Sequence, residues 1–252
     1  MLSGVSFRVR AGETVSLVGQ NGAGKTTLVK LILGLYRPDR GRILFDGVPI
    51  DELDDADLRR HCSAIFQDFA RFQLTLRESV GVGDVERIDN AAAVAAAAAR
   101  AGVDEVAAGL KDTYETVLSP AFGGVDLSGG QWQKVALARS LMRDAEVLVL
   151  DEPTASLDPR AEMAVFEQFK ALAAARTTFL ISHRIGTARL ADRILVLGEG
   201  RLVEEGDHAE LLAAGGDYAE LFAAQRQWYE PAGPAEASAP AESGAEGGRA
   251  RE

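Results

Sequence analysis

The chain contains 252 residues, of which 47% are apolar and 26% are charged, and these are the proportions of an ordinary soluble globular protein. Its formal net charge of −11 argues against nucleic-acid binding, because a protein that holds a phosphate backbone needs a basic face. Cys62 is the only cysteine, so no internal disulfide can form, and a reducing cytoplasm is expected. The longest apolar stretch, residues 91–99, is too short for a membrane-spanning helix, which needs about 20 residues.

Short β-like runs alternate with longer helical patterns between residues 5 and 203, and this alternation predicts an α/β fold with a mostly parallel sheet. Several of the runs are continuously apolar, as expected for strands that are buried on both faces. The predicted strands are residues 6–10, 14–18, 42–45, 64–66, 147–150, 177–181 and 193–197.

Strand signals are missing between residues 69 and 141, where alanine-rich helical sequence is found instead, notably over residues 89–101. Alanine has a high helix propensity, so residues 69–141 are predicted to form a helical subdomain inserted into an α/β domain that spans residues 1–228. Residues 229–252 are rich in Pro, Gly, Ala, Ser and Glu and are predicted to be a disordered tail.

Residues 19–26 match the phosphate-loop motif G-x-x-x-x-G-K-[ST] and lie between a predicted strand and a predicted helix over residues 27–33, which is the context that the motif requires. Its glycines let backbone N–H groups surround a phosphate chain, while Lys25 reaches the β- and γ-phosphates and Thr26 offers a hydroxyl to Mg²⁺. The alternative is a glycine-rich turn that only closes a strand–helix unit. The motif alone leaves kinase, GTPase, helicase and transporter motor open. The predicted nucleotide-binding residues are Gly19, Gln20, Asn21, Gly22, Ala23, Gly24, Lys25, Thr26 and Thr27.

Two acids, Asp151 and Glu152, follow the predicted strand over residues 147–150. Ligands of open α/β sheets bind at the carboxyl ends of strands. Asp151 is therefore predicted to hold Mg²⁺, and Glu152 to polarise the water that attacks the γ-phosphate. The alternative for Asp151 is a cap on the turn at Pro153.

A second anion site is predicted at residues 127–131, Leu-Ser-Gly-Gly-Gln, which open a predicted helix over residues 132–141. A serine cap and two glycines leave N–H groups at the positive end of the helix dipole. This stretch resembles the signature sequence of ATP-binding-cassette (ABC) ATPases, and it precedes the Asp151 strand as it does in that family. The resemblance implies that each ATP lies between the phosphate loop of one subunit and the signature of the other. The residues that would bind the partner's ATP are Ser128, Gly129, Gly130 and Gln131.

Three further landmarks of the family occur in the expected order along the chain, one before the signature and two after it. Gln67 resembles the Q-loop glutamine, which touches Mg²⁺ and the attacking water. Asp158 resembles the D-loop aspartate, which couples the two sites of the dimer, and His183 resembles the switch histidine, which contacts the γ-phosphate. Taken singly, Gln67 also fits a surface amide, Asp158 a helix N-cap, and His183 a loop or core histidine.

Other residues are interpreted more simply. Cys62 is predicted to pack as a small apolar residue, His208 to begin a surface helix, and Trp132 to serve packing rather than a partner. No metal is expected beyond nucleotide-bound Mg²⁺, because the three histidines lack metal-ligand spacing. Residues 69–74 follow the Q-loop, where members of the family meet the coupling helix of a membrane domain.

The chain departs from the family pattern at two places. Members usually carry an aromatic residue upstream of the first strand that stacks on adenine, whereas this chain begins near the end of that region, and Phe7 alternates with Val5 and Val9 like a core residue. Either the chain is a piece of a longer protein that begins with a membrane domain, or its recognition of the adenine base is weakened, and we expect the former. The acidic segment of exporters that precedes the signature is replaced by residues 117–124, although residues 204–221 resemble exporter-type cassettes.

The resemblance implies an ATP-hydrolysing nucleotide-binding domain that powers transmembrane transport, with export favoured over import. ATP and Mg²⁺ are the implied cofactors. A second cassette, identical or different, and a transmembrane domain are the implied partners, at the cytoplasmic face of the cell membrane. Two rival functions are less favoured. A soluble ABC protein acting on ribosomes or DNA usually has two cassettes or a long coiled coil, which this sequence lacks, and a regulatory module that holds ATP without turnover does not need the intact Lys25, Asp151, Glu152 and His183.

Overall fold

The computed structural model describes residues 1–151, 176–182, 185–189 and 191–229. Within these residues, no helix combines the length and the apolar character needed to span a membrane.

The strands of the described part are β1 (Thr14–Val18), β2 (Leu44–Phe45), β3 (Val48–Pro49), β4 (Cys62–Ile65), β5 (Val147–Asp151), β6 (Thr177–Ile181), β7 (Arg193–Gly198) and β8 (Arg201–Gly206). Its α-helices are α1 (Lys25–Ile32), α2 (Asp55–His61), α3 (Leu76–Gly81), α4 (Ala91–Ala101), α5 (Val103–Ala108), α6 (Gly129–Leu141), α7 (Ile185–Ala188), α8 (His208–Ala214) and α9 (Asp217–Tyr229).

Six strands form one sheet in the order β4-β5-β6-β1-β7-β8, and β2 pairs with β3 in a separate hairpin. Neighbours from β4 to β7 run parallel, while β8 is antiparallel to β7 at the edge. All five residues of β5 are buried, as expected for a central strand covered on both faces. The mostly parallel α/β fold predicted from the sequence is therefore confirmed.

The core is divided by the sheet. Val147 and Val149 of β5 pack in a cluster that also contains α1, whereas Leu148 and Leu150 pack in a second cluster with α3, α4, α5 and α6. Successive side chains of a strand point to opposite faces. One strand therefore contributes to both clusters. A smaller third cluster joins β7 to α8 and α9.

One predicted strand is wrong. Residues 6–10 form no strand, although Val5, Phe7 and Val9 do pack against the α1 cluster. The alternating pattern thus correctly indicated which side chains turn inward. It did not show whether another strand pairs with this segment through backbone hydrogen bonds. The carbonyl of Arg8 accepts a hydrogen bond from the Arg193 guanidinium.

Several boundaries differ from the prediction. The predicted strand over residues 42–45 is reduced to Leu44–Phe45, and β3 and β8 were not predicted. Helices α1 and α6 begin earlier than expected because their first turns contain residues of the glycine-rich motifs themselves. Cys62 is buried as predicted, and burial raises the pKa of its thiol to about 11, so the thiol stays protonated at neutral pH.

Candidate nucleotide-binding site

The glycine-rich loop, residues 19–24, connects β1 to α1, and two of its glycines are required by geometry. Gly19 has φ 149°, and a Cβ on it would lie 2.2 Å from the Leu197 carbonyl oxygen. Gly24 has φ 105°, and a Cβ there would lie 2.6 Å from the Leu2 side chain. Side chains at these positions would force the loop out of its shape.

Lys25, the first residue of α1, is buried with its ammonium directed back into the loop. Its Nζ donates hydrogen bonds to the carbonyl oxygens of Gly19 at 2.8 Å and Gln20 at 3.0 Å. The first turn of a helix also has N–H groups without intrahelical acceptors. Donors from one side chain and from the start of α1 are thus gathered at the loop, while Thr26 and Thr27 are exposed beside them.

Asp151 is the last residue of β5 and is buried. In the sheet register it lies opposite Ile181 of β6, and Ile181 lies opposite Leu17 of β1. Two strand spacings separate Asp151 from the strand that leads into the glycine-rich loop, a distance of about 10 Å. The carboxylate therefore stands at the same edge of the sheet as the loop.

Gln67 follows β4, the strand next to β5, and Ile65 is paired with Leu150. Because parallel strands end at the same edge, the exposed Gln67 lies on the side of Asp151 that is away from the loop. The structure thus brings the glycine-rich loop, Asp151 and Gln67 to one edge. Glu152, Asp158 and His183 lie outside the described residues.

Ser182, the residue before His183, lies within the described part of the chain and is fixed by burial and a hydrogen bond. Ser182 follows β6 and is buried, and its Oγ accepts a hydrogen bond from Thr187 Oγ1 at 2.8 Å. The same edge of the sheet therefore continues into a fixed polar residue immediately before the predicted switch histidine.

The predicted signature opens α6 with a complete capping box. The backbone N–H of Gln131 donates to Ser128 Oγ at 3.3 Å, and the N–H of Ser128 donates to Gln131 Oε1 at 2.9 Å. A Cβ added to Gly129 or Gly130 would meet nothing within 4 Å. This helix start belongs to the helical cluster rather than to the cluster of the glycine-rich loop, and its glycine surface is open.

One contact beside the signature was not predicted. Trp132 is buried, as expected for packing, and its Nε1 donates to Asp126 Oδ1 at 2.9 Å. The same oxygen accepts from the N–H of Leu127. These two hydrogen bonds, with that of Trp132 the stronger influence, lower the pKa of Asp126. An acid six residues before a tryptophan is too weak a signal for sequence reasoning to single out.

The comparison with protein-family models matches residues 2–155 of the chain to the family described as ABC transporter. The chain belongs to the ABC transporter family. The match includes the glycine-rich loop, Gln67, the signature and Asp151, and it identifies the chain as an ATP-binding domain of that family.

Curated relatives extend the similarity of this ABC domain. It is 42% identical over 216 residues to an ATP-dependent lipid A-core flippase of Aromatoleum aromaticum, covering 86% of this chain and 35% of the relative. It is 44% identical over 226 residues to a mycobactin import ATP-binding/permease protein, IrtB, of Mycolicibacterium thermoresistibile, covering 90% of this chain and 38% of the relative. The chain thus spans just over a third of each of these relatives.

A solved structure described as a bacterial Atm1-family ABC exporter with ATP bound superposes with a TM-score of 0.81 and 39% sequence identity. The alignment covers 89% of this chain and 38% of that one. The similarity confirms the ABC ATPase fold.

The aromatic residues that follow Gln67 in the ABC domain divide into two kinds. Phe69 is half-buried against the helical cluster, whereas Phe72 is 38% exposed. The ring of Phe72 lies 4.6 Å from the guanidinium carbon of Arg139, on α6. Sequence reasoning did not identify Arg139, because nothing in its local pattern distinguishes it from other helical arginines.

Proposed function

We propose that the chain hydrolyses ATP to ADP and phosphate as the motor domain of an ABC transporter. The observation that carries this proposal is the meeting of the glycine-rich loop, Asp151 and Gln67 at one edge of the sheet. The family membership supports ATP binding; the hydrolytic reaction and the roles of individual residues are part of the proposal.

In the proposed site, the ATP phosphates occupy the concave side of the glycine-rich loop. Lys25 exchanges its bonds to the Gly19 and Gln20 carbonyls for bonds to the β- and γ-phosphate oxygens. The N–H groups at the start of α1 face the same phosphates, where the helix dipole favours negative charge. Residues 19–27 therefore hold and orient the nucleotide.

The residues present fit Mg²⁺, because a hydroxyl, a carboxylate and an amide are the oxygen ligands that this ion prefers. Thr26, Asp151 and Gln67 would hold it. When bound, Mg²⁺ neutralises charge on the β- and γ-phosphates. Glu152, directly after Asp151, would polarise the attacking water, and His183 would contact the γ-phosphate.

The second half of the proposed site comes from another cassette. Ser128, Gly129, Gly130 and Gln131 present a helix start whose glycine surface is open, so the ATP of a partner cassette can approach its N–H groups closely. Asp158 would couple the two sites. ATP would thus close two cassettes head to tail, and hydrolysis would reopen them by removing contacts to the γ-phosphate.

The movement would be passed to a transmembrane domain at the cytoplasmic face of the cell membrane. We propose export as the direction, since one relative carries the name of a flippase and the similar solved structure that of an exporter. The mycobactin import protein is the counterexample: an ABC domain 44% identical to this one is part of a protein named for import. A transport assay with the membrane domain present decides between the two directions.

The test is steady-state ATP hydrolysis by the purified chain over a range of protein concentrations, with Glu152→Gln as the matched variant. Specific activity is expected to rise with concentration, because each active site needs two chains. The Glu152→Gln variant is expected to be inactive and to dimerise in ATP. A constant specific activity from a monomer would contradict the shared site, and an active Glu152→Gln variant would contradict the role of Glu152.

A further inference from the structure

Arg139 lies on α6, near the end opposite the signature, and its side chain crosses to a different part of the chain. Its Nη1 donates to the carbonyl oxygen of Ala70 at 2.9 Å, and its Nε donates to that of Ser79 at 3.0 Å. The guanidinium also lies over the ring of Phe72. Ala70 and Phe72 belong to residues 68–74, the segment that directly follows Gln67, which we call the Gln67 loop. Ser79 belongs to α3. One side chain thus binds the loop and the helix that follows it.

The far end of the Gln67 loop is attached to the signature region by backbone hydrogen bonds. The carbonyl of Leu74 accepts from the N–H of Leu118 at 2.9 Å, and the carbonyl of Val117 accepts from the N–H of Val125 at 3.0 Å. Asp126, next along the chain, holds Trp132 on α6. This route fixes the end of the loop, whereas its middle, where Ala70 and Phe72 lie, is bound to α6 by Arg139.

The chemistry of these contacts suits a strong, directional attachment. Hydrogen bonds from a charged donor contribute more than neutral ones. The planar guanidinium can bind two carbonyls through separate nitrogens and place its flat face on a ring at the same time, whereas a lysine ammonium is a single point charge without this fork geometry. Burial lowers the pKa of Arg139 to about 10, so the side chain is still charged at neutral pH. The groups that Arg139 contacts are a loop carbonyl, an α3 carbonyl and an aromatic face, so these contacts do not depend on a carboxylate.

We propose that Arg139 is a positioning residue that makes the Gln67 loop and the signature helix α6 move as one body. Any displacement of Gln67 at one nucleotide is then transmitted to Ser128, which faces the nucleotide of the partner cassette. This inference rests on the proposed ATPase function and adds a residue to it. Arg139 itself touches neither nucleotide in this arrangement.

The test compares Arg139→Met and Arg139→Lys with the wild-type chain, and uses Arg143→Met as the matched control. Arg143 also donates to a backbone carbonyl, that of Arg59, at 2.7 Å, but it does not bind the Gln67 loop. Removing the two charged hydrogen bonds is expected to lower kcat about tenfold while KM for ATP changes less than about twofold. Arg139→Lys is expected to recover only part of kcat, and Arg143→Met to match the wild type.

Hydrogen exchange gives a readout that does not require turnover. When ATP and Mg²⁺ are added to the wild type or to Arg143→Met, the amide exchange rates are expected to change both in residues 68–74 and in residues 128–134. Arg139→Met is expected to confine the change to residues 68–74. The proposal is overturned if Arg139→Met transmits the change to residues 128–134, or if the wild type shows no change there.

These two readouts separate the inference from the function on which it rests. A wild-type chain that transmits the exchange change but does not hydrolyse ATP would contradict the proposed function and leave the positioning role supported. Arg139→Met could instead melt at a lower temperature but keep the wild-type kcat and the wild-type exchange change in residues 128–134. Arg139 would then have only a structural role, and the inference would be overturned.

Discussion

The glycine-rich loop and the start of α6 are both glycine-containing helix N-termini, yet their surroundings are opposite. At the loop, the chain closes around itself: Leu197 and Leu2 approach Gly19 and Gly24, and Lys25 binds the loop's own carbonyls. At α6, the two glycines face open space. In the proposed function, the first would be an anion site that one chain completes, and the second a surface that another molecule completes.

The largest expected effect tests the closed site. Lys25→Met removes the cation that would bind two phosphates, at a cost of about 3 kcal/mol, so ATP affinity should fall about hundredfold. Titration calorimetry with ATP and Mg²⁺ measures this effect. Lys30→Met is the control, because Lys30 lies on the same helix with its ammonium 5.5 Å from the centre of the Tyr36 ring and should leave affinity unchanged. An Lys25→Met chain that binds ATP as the wild type does would contradict the predicted site.

A pair of glycine substitutions sharpens the contrast between the two helix starts. Gly19→Ala should weaken ATP binding and lower the melting temperature, because its Cβ would meet the Leu197 carbonyl. Gly129→Ala should leave both unchanged, or raise the melting temperature slightly, since alanine has the higher helix propensity.

Hydrolysis should nevertheless fall about tenfold in Gly129→Ala, because a methyl group would separate the start of α6 from the partner's ATP and weaken its hydrogen bonds. Melting curves, ATP titration and hydrolysis on the same samples provide the check. Equal loss of ATP binding in the two variants would remove the distinction between a closed and an open site.

The smallest expected effect concerns Asp126, which holds Trp132 beside the signature. Its native pKa is lowered, so its hydrogen bonds stabilise the fold above the ordinary Asp pKa of about 3.9 and lose this effect as pH falls through the native value. Asp126→Asn should therefore melt below the wild type at pH 7, and the difference should shrink below about pH 4.

The control for this prediction is Asp144→Asn, at a carboxylate whose side chain is 95% exposed, since exposed pairs contribute little. It should melt like the wild type at both pH values. If the difference in melting temperature between Asp126→Asn and the wild type stays constant between pH 7 and pH 3, then packing, rather than the charged hydrogen bonds, causes the loss of stability.

The sequence patterns predicted some elements well and others poorly, for physical reasons. The buried strands β1, β5, β6 and β7 are rich in β-branched and aliphatic residues and were predicted within about one residue. Residues 6–10 have the alternation of a strand but lack a ladder partner, because pairing is a property of the neighbour and not of the run itself. Edge strand β8 alternates exposed and half-buried positions over a charged segment and was missed.

The candidate site shows the same division. The glycine-rich loop could be predicted because its backbone geometry requires glycines, and Asp151 because it directly follows a short, continuously apolar strand. Arg139 could not, because its partners become neighbours only after α6 packs on α3 and on the loop after Gln67. Asp126 could not, because its bond to a tryptophan six residues later has no distinctive sequence pattern. The proposed roles of Glu152, Asp158 and His183 depend on the family resemblance and stay predictions.

The division of β5 between two clusters bears on any attempt to isolate a minimal nucleotide-binding core. Leu148 and Leu150 face the helical layer and are at most 2% exposed, so deleting that layer would expose an apolar stripe on the strand that ends in Asp151. Exposed apolar strands associate with one another. A shortened chain without residues 69–141 is therefore expected to aggregate, and the helical layer would serve as a solubilising cover for the sheet that carries the glycine-rich loop, as well as carrying the predicted signature.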